Sequence, residues 1–290
     1  MFIRWMYQRY VWGPEHPFKG RILRHLEQLI FPERGLPFET HGGIRMYLHP
    51  RFEWERHLLR GGTYQPGLCR FIKTNILPGE TVAIAGIGFG QQIIIASRAT
   101  GSNGYVVGID PHPAALVRAR DNIALNNHPD NIKLVSAALG ERRAMLPLSG
   151  VVIGHVGHGS LIKPANDLPY QVVVESLPQL LQGLGIGKLD VLFLDVIGFE
   201  LPILSALEPP YLPRLMTVVV HPLVCAQMTL TLQNYQDRLA ALGYGYWTLD
   251  GRQPNEIGDL RECQLVGVIN NTAPPIWLER DPSIPGGVWM

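Results

Sequence analysis

The rhythm of apolar and polar positions changes three times along this chain. Up to about residue 35, Phe2, Trp5 and Met6, then Ile22, Leu23, Leu26, Leu29 and Ile30, recur at helical spacing. That period predicts amphipathic helices folded onto a main domain. From 36 to 60 the alternation shortens, as at Ile44 to Leu48, and predicts short strands. Gly61-Gly62 marks a hinge into a helix predicted over Pro66 to Leu77, which Pro78-Gly79 stops. From Thr81 onward, apolar runs alternate with helix-like segments. Strands are expected at 81–86, 105–109, 132–137, 191–196 and 216–221, and helices at 90–99, 113–126, 178–184, 201–207 and 231–242. The strand expected over 191–196 opens on four apolar residues, Val191 to Leu194, as a strand covered on both faces must. Tyr244 to Leu249 and Cys263 to Ile269 read as an antiparallel pair at an edge, and the Pro-rich stretch after Asn271 as irregular. Strand-then-helix alternation of this kind predicts an α/β fold with a doubly wound, mostly parallel sheet. The expected divisions are a helical N-terminal extension (1–60), the main domain (61–275) and a tail (276–290).

Composition narrows the function more than the fold. A chain of 290 residues that is 46% apolar can bury one large core with a smaller unit appended. A net charge of +1 argues against a broad nucleic-acid footprint. Three cysteines, Cys69, Cys225 and Cys263, have no C-x-x-C spacing, which fits buried thiols in a reducing cytoplasm and no zinc site. No apolar run reaches the ~18 residues of a membrane span. Arg4, Arg9 and the aromatics interrupt MFIRWMYQRYVW too often for a secretory signal. Basic residues among those aromatics leave a partner-binding or membrane-surface arm open as the alternative to a cap on the main domain.

The chemistry concentrates in TVAIAGIGFGQQIIIASRATGSNGYVVGIDPHP, residues 81–113. An apolar run meets Gly86, Gly88 and Gly90; a helix and a second apolar run follow, ending on Asp110. Strand, glycine turn, helix, strand and acidic tip is the order by which α/β folds hold an adenosine-bearing cofactor. Glycine lets the backbone approach the ligand, the helix start offers N–H groups to an anion, and Asp110 can accept from two ribose hydroxyls. A dinucleotide turn would require a third glycine at position 91, where Gln91 stands. The spacing G-x-G-x-G suits S-adenosylmethionine better, and weakens the rival reading as a nicotinamide-dependent oxidoreductase.

Further segments, taken in order, carry a resemblance. They are GGTYQPGLCRFIKTNILPGETV (61–82), the glycine turn from Ile84 to Gly90, Val107 to Pro113, Asp121 to Asn126, Gly157 to Leu161, and Leu189 to Glu200 with its D-x-x-G-x-E pattern. Together they resemble the FkbM-type family of class I S-adenosylmethionine-dependent methyltransferases. The resemblance implies a seven-stranded Rossmann-like sheet with an antiparallel edge strand, and methyl transfer to oxygen, less often nitrogen, of a small molecule, sugar or peptide. The chain departs from the family at Ile84, Gln65, Ile197, His221 and Pro178, where the family favours carboxylates. Those losses motivate the alternative of a degenerate methyltransferase fold acting as a binding scaffold.

Residue roles follow from this frame. Tyr64, Gly86, Gly88, Gly90, Asp110, Pro111, Ala137, Ala138 and Asp195 are expected at the cofactor, with Tyr64 as a lid contact and the two alanines along the adenine edge. His221, Asp195 and Glu200 are the candidate catalytic residues, and His158 and Ser160 belong to a Gly-rich loop facing the substrate. Plainer readings stand beside these. Asp195 would cap a helix over 198–207, Glu200 would be a surface carboxylate favoured by the helix dipole, and His221 would stack on Pro222. His155, His158 and His221 lack the spacing and carboxylate partner of a metal site. The expected partners are a small-molecule or peptide substrate and a second copy of the chain through the N-terminal extension, with no nucleic acid.

Overall fold

The computed structural model describes residues 2–11, 13–40, 43–50, 53–59, 64–126, 130–148, 170–256, 259, 264–270 and 272–279. The chain divides into two compact units, Met1–Gln65 with Ala124–His128, and Pro66–Ile123 with Pro129–Met290. No helix among the described residues is long and apolar enough to cross a membrane.

The first unit holds α1 (Phe2–Val11), α2 (Lys19–Ile30), β1 (Leu36–Glu39), β2 (Arg45–Leu48) and α3 (Glu53–Leu59). The strands form an antiparallel hairpin with Leu36 opposite Leu48. Aromatic edges and faces hold the unit together: Tyr7 meets Phe31 edge-on at 4.9 Å, and Phe31 stacks on Phe38 at 6.1 Å. The alternation read over 36–60 predicts strand too far. EWERHLL forms α3, because Glu, Arg and Leu favour helix and Glu55 in its first turn accepts the His49 N–H at 2.6 Å.

The second unit begins with α4 (Pro66–Asn75), β3 (Thr81–Ala85), α5 (Gln91–Thr100), β4 (Tyr105–Ile109), α6 (Pro113–Ala124) and β5 (Ile132–Val135). It continues through β6 (Ala138–Leu139), β7 (Ala144–Leu148), β8 (Tyr170–Glu175), α7 (Leu177–Gly183), β9 (Val191–Leu194), α8 (Glu200–Ser205) and β10 (Leu215–Val219). It ends with α9 (Pro222–Gln227), α10 (Leu232–Ala241), β11 (Tyr244–Trp247) and β12 (Gln264–Ile269). Seven strands form one sheet in the order β11-β12-β10-β9-β3-β4-β5. From β10 to β5 the pairs are parallel; β12 runs antiparallel to both β10 and β11. The expected doubly wound α/β sheet with an antiparallel strand at one edge is therefore the fold.

Strand parity shows why the central strands are apolar throughout. Ala83, Ala85, Val107, Ile109, Leu192, Leu194, Met216 and Val218 share one core with Leu181 of α7, Leu204 of α8 and Tyr235 of α10. The opposite face packs on α5: a Cβ on Gly108 would lie 2.4 Å from Ile93 Cδ1. Both faces are covered, so no position can be polar by default.

Two readings of the sequence need correction here. The strand expected over 132–137 stops at Val135, and Ala138–Leu139 instead pairs with β8 in a separate three-stranded sheet, β6-β8-β7. Neither β8 nor the short α9 was read from the sequence, since runs of six residues carry too little period to declare themselves. The stretch 272–279 is irregular, as expected, yet it is fastened. Asn75 donates to the Ile276 carbonyl at 3.0 Å and accepts its N–H at 2.6 Å, while Leu278 and Trp277 pack with Phe71 and Leu249.

Candidate functional site

The ladder that builds the sheet also assembles the site. Gly86 N–H donates to the Ile109 carbonyl at 2.9 Å, Asp110 N–H to Val135 at 3.1 Å, and Asp195 N–H to Ala85 at 2.9 Å. Gly86, Asp110 and Asp195 therefore stand directly past the ends of β3, β4 and β9, side by side, with His221 past β10 on the far side of β9. This is the carboxyl-end edge where parallel α/β sheets bind ligands.

The three glycines serve three different ends. A Cβ on Gly86 would sit 1.8 Å from the Asp195 carbonyl oxygen, so this glycine lets β3 and β9 close. On Gly90 it would press at 3.0 Å on Ala119, so this one lets α5 approach α6. On Gly88 it would meet no atom of a described residue within 4 Å. Gly88 thus faces open space at φ +50°, and Gly90, the α5 N-cap, places no side chain on that helix's first N–H groups. Asn122, buried in the D-N-I-A-L-N segment, donates to the Phe89 carbonyl at 2.8 Å and ties α6 to the turn.

Asp110 clamps the turn from the next strand. Its Oδ2 accepts the Ile87 N–H at 3.0 Å and its Oδ1 the His112 N–H at 2.8 Å. Burial pushes its pKa up to about 6, against the pull of the His112, Ile87 and Gly88 N–H groups and with a smaller push from the Asp195 charge. His112 is a residue the sequence reading quoted without assigning a role. Its Nδ1 accepts the Ala114 N–H at 3.1 Å, so Nε2 carries the hydrogen. That buried Nε2 has no hydrogen-bond partner among the described residues, and burial lowers the ring's pKa. The signal was in the sequence: a histidine two positions past the strand-end acid.

His221 Nε2 lies 3.1 Å from Asp195 Oδ1, both side chains partly exposed. An ionised carboxylate only accepts, so Nε2–H donates and Nδ1 keeps its lone pair. Burial pulls the His221 pKa down, but the hydrogen bond and charge of Asp195, with the charge of Glu200, outweigh it and leave it above the ordinary value. Glu200 is fully buried, and its Oε1 accepts the Gly198 N–H at 2.9 Å. Burial raises its pKa, partly offset by the Gly198 N–H and by His221.

These contacts displace the plainer readings. The N-cap of α8 is Phe199, not Asp195, and Glu200 is not a surface carboxylate. The D-V-I-G-F-E turn holds Ile197 at φ +53°, a conformation costly for a β-branched residue. Tyr64 belongs to the first unit, and His158 and Ser160, like His155, lie outside the described residues. Pro111 follows Asp110, and Ala137 and Ala138 are buried beyond β5, Ala138 opening β6.

Comparison with known proteins adds a family. Over 63 residues the chain is 35% identical to an arsenite methyltransferase of Halobacterium salinarum, a match covering 22% of this chain and 16% of that protein. Among solved structures it is similar to an S-adenosylmethionine-dependent O-methyltransferase of Thermotoga maritima (13% identity, 86% of this chain and 83% of that one, TM-score 0.42). It is also similar to an S-adenosylmethionine-dependent methyltransferase of Aquifex aeolicus (13%, 71% and 97%, TM-score 0.37). At such scores the fold rests on the strand order itself. The model of the methyltransferase FkbM domain matches residues 85–235, from the end of β3 through the glycine turn, Asp110, Asp195, Glu200 and His221 into α10, just over half of the chain, and the chain belongs to that family of methyltransferases.

Proposed function

We propose that this protein transfers the methyl group of S-adenosylmethionine to a hydroxyl of a small molecule, sugar or peptide, with His221 as the base. The observation that carries the reading is the His221–Asp195 pair, 3.1 Å apart, on the same sheet edge as the Asp110-clamped glycine turn.

The residues present fit the cofactor. The backbone at Gly88 leaves room for a ligand, the α5 N-terminus offers N–H groups to a carboxylate, and Asp110 has lone pairs left for ribose hydroxyls. His112 Nε2–H supplies a donor beside that carboxylate. When bound, the cofactor supplies an electrophilic methyl on a positively charged sulfur. The protein must then align the acceptor and remove its proton. His221 Nδ1 takes that proton, Asp195 holds the ring through Nε2–H and stabilises the imidazolium formed, and buried Glu200 adds negative charge behind the pair. Orientation of the acceptor supplies the larger share, since alignment is worth ~7–11 kcal/mol and a positioned base a factor of about 10²–10⁴.

Isothermal titration with S-adenosylmethionine and with its demethylated product tests the cofactor half. Transfer of labelled methyl to a panel of hydroxyl-bearing metabolites tests the other. Binding with transfer that His221→Gln abolishes is expected. No heat with either ligand would favour the alternative, a partner-binding scaffold, which the apolar Ile84 and Ile197 at the family's acidic positions support.

A further inference from the structure

The first unit presents a surface that the methyl-transfer site does not use. On α2, Phe18 at the N-cap, Ile22 and Leu29 are 61%, 41% and 84% exposed. At 100° per residue, positions 18, 22, 25 and 29 fall within about 60° of one another, so with exposed His25 they form one row along the helix. Single exposed apolar residues are ordinary, but a row of three at helical spacing marks a contact face. The other side of α2 is already occupied. Leu23 and Lys19 are buried, and Glu27 accepts the Tyr7 hydroxyl of α1 at 2.8 Å.

Charge decides what the row fits. Glu27 is the one carboxylate in α2, about 160° around the helix from Leu29. Exposed Arg21 borders the row instead, about 60° from Phe18. On α1, Trp5 and Met6 are also exposed, and Arg9 lies over the Trp5 ring at 5.2 Å. We propose that this face of α2 seats on an anionic membrane surface. Phe18, Ile22 and Leu29 enter the boundary between headgroups and acyl chains while Arg21 stays at the level of the phosphates. The helix lies in the interface and does not cross it. A second copy fits less well, because a two-fold contact sets the same patch against itself and brings the arginine borders together.

The test is sedimentation of the full chain with vesicles of phosphatidylcholine, with and without phosphatidylserine. Binding about tenfold tighter with phosphatidylserine is expected, and high salt should remove that difference. The triple variant Phe18→Ser, Ile22→Ser, Leu29→Ser should stay in the supernatant with an unchanged melting temperature, since all three side chains are exposed. Arg21→Glu should lose only the part that depends on phosphatidylserine. The proposal is overturned by a parent chain that ignores anionic vesicles, by a triple variant that still binds them, or by a dimer that the triple variant dissolves while neither protein binds lipid.

Discussion

His221 and Asp110 each carry a pKa moved by a nameable neighbour, and each movement has a consequence at a definite pH. As the proposed base, His221 must be neutral to take a proton, and Asp195 and Glu200 hold its pKa above the ordinary histidine value. The transfer rate should therefore climb with pH through a point above ~6.5. Asp195→Asn should move that limb to lower pH, and His221→Gln should lower kcat/KM by about 10²–10⁴ while cofactor affinity changes little. The stability sign follows from the same raised pKa. The pair's contribution is present in full below the ordinary histidine pKa and is lost as pH rises through the folded-state value. Burial pushes the Asp110 pKa up to about 6, and the proposed ribose contact needs the ionised form to accept from both hydroxyls. Titration calorimetry should show cofactor binding weakening as pH falls below about 6, and Asp110→Ala should remove most of the binding at neutral pH.

At the scale of the element, the glycine turn separates folding from binding. Gly86→Ala drives a Cβ into the Asp195 carbonyl at 1.8 Å, backbone against backbone, where β3 and β9 join. Thermal melting should show a loss of more than ~3 kcal/mol, or no folded protein at all. Gly88→Ala meets no atom, so its stability cost is the ~1–2 kcal/mol of left-handed backbone. Under the proposed function its Cβ intrudes on the cofactor's space, and affinity should fall by more than stability does. If both variants lose stability equally and Gly88→Ala still binds as the parent does, the turn is a packing device alone. These glycines look alike in the sequence, and the G-x-G-x-G spacing located all three. Which one is left uncrowded was not legible, because that depends on Asp195 and Ala119, which are distant in the chain.

At the scale of the whole molecule, the segment around Ile276 closes the second unit. Asn75 at the end of α4 meets both backbone groups of Ile276, and its own carbonyl accepts from Arg214, which also pairs with Glu80 through two N–H groups at 2.6 and 2.8 Å. Two short polar anchors and the Leu278–Trp277 packing thus fix an irregular strap. Leu278→Ala should cost about 2–5 kcal/mol, and a drop of roughly 4 °C or more in melting temperature would register it. A change under one degree would mean that the strap adds nothing. The sequence reading named this stretch irregular because Pro274 and Pro275 deny it a ladder. Nothing local announced that Asn75 would take the ladder's place.

The sequence by itself determined the order of strands and helices, the apolar centre of the sheet, and the candidates Gly86, Gly88, Gly90, Asp110, Asp195, Glu200 and His221. Period, glycine spacing and strand-end acids are local features, and parallel strands joined by helices leave few ways to assemble. Only the tertiary structure decided which of those residues meet. Asp195 and His221 are 26 positions apart and pair because β9 and β10 are neighbours. Glu200 turned inward because Gly198 N–H waits for it, and His112 became a buried donor because Asp110 holds its backbone N–H and the Ala114 N–H fixes its ring. Hydrogen-bond geometry and burial are properties of the packed chain, and no spacing along the sequence encodes them.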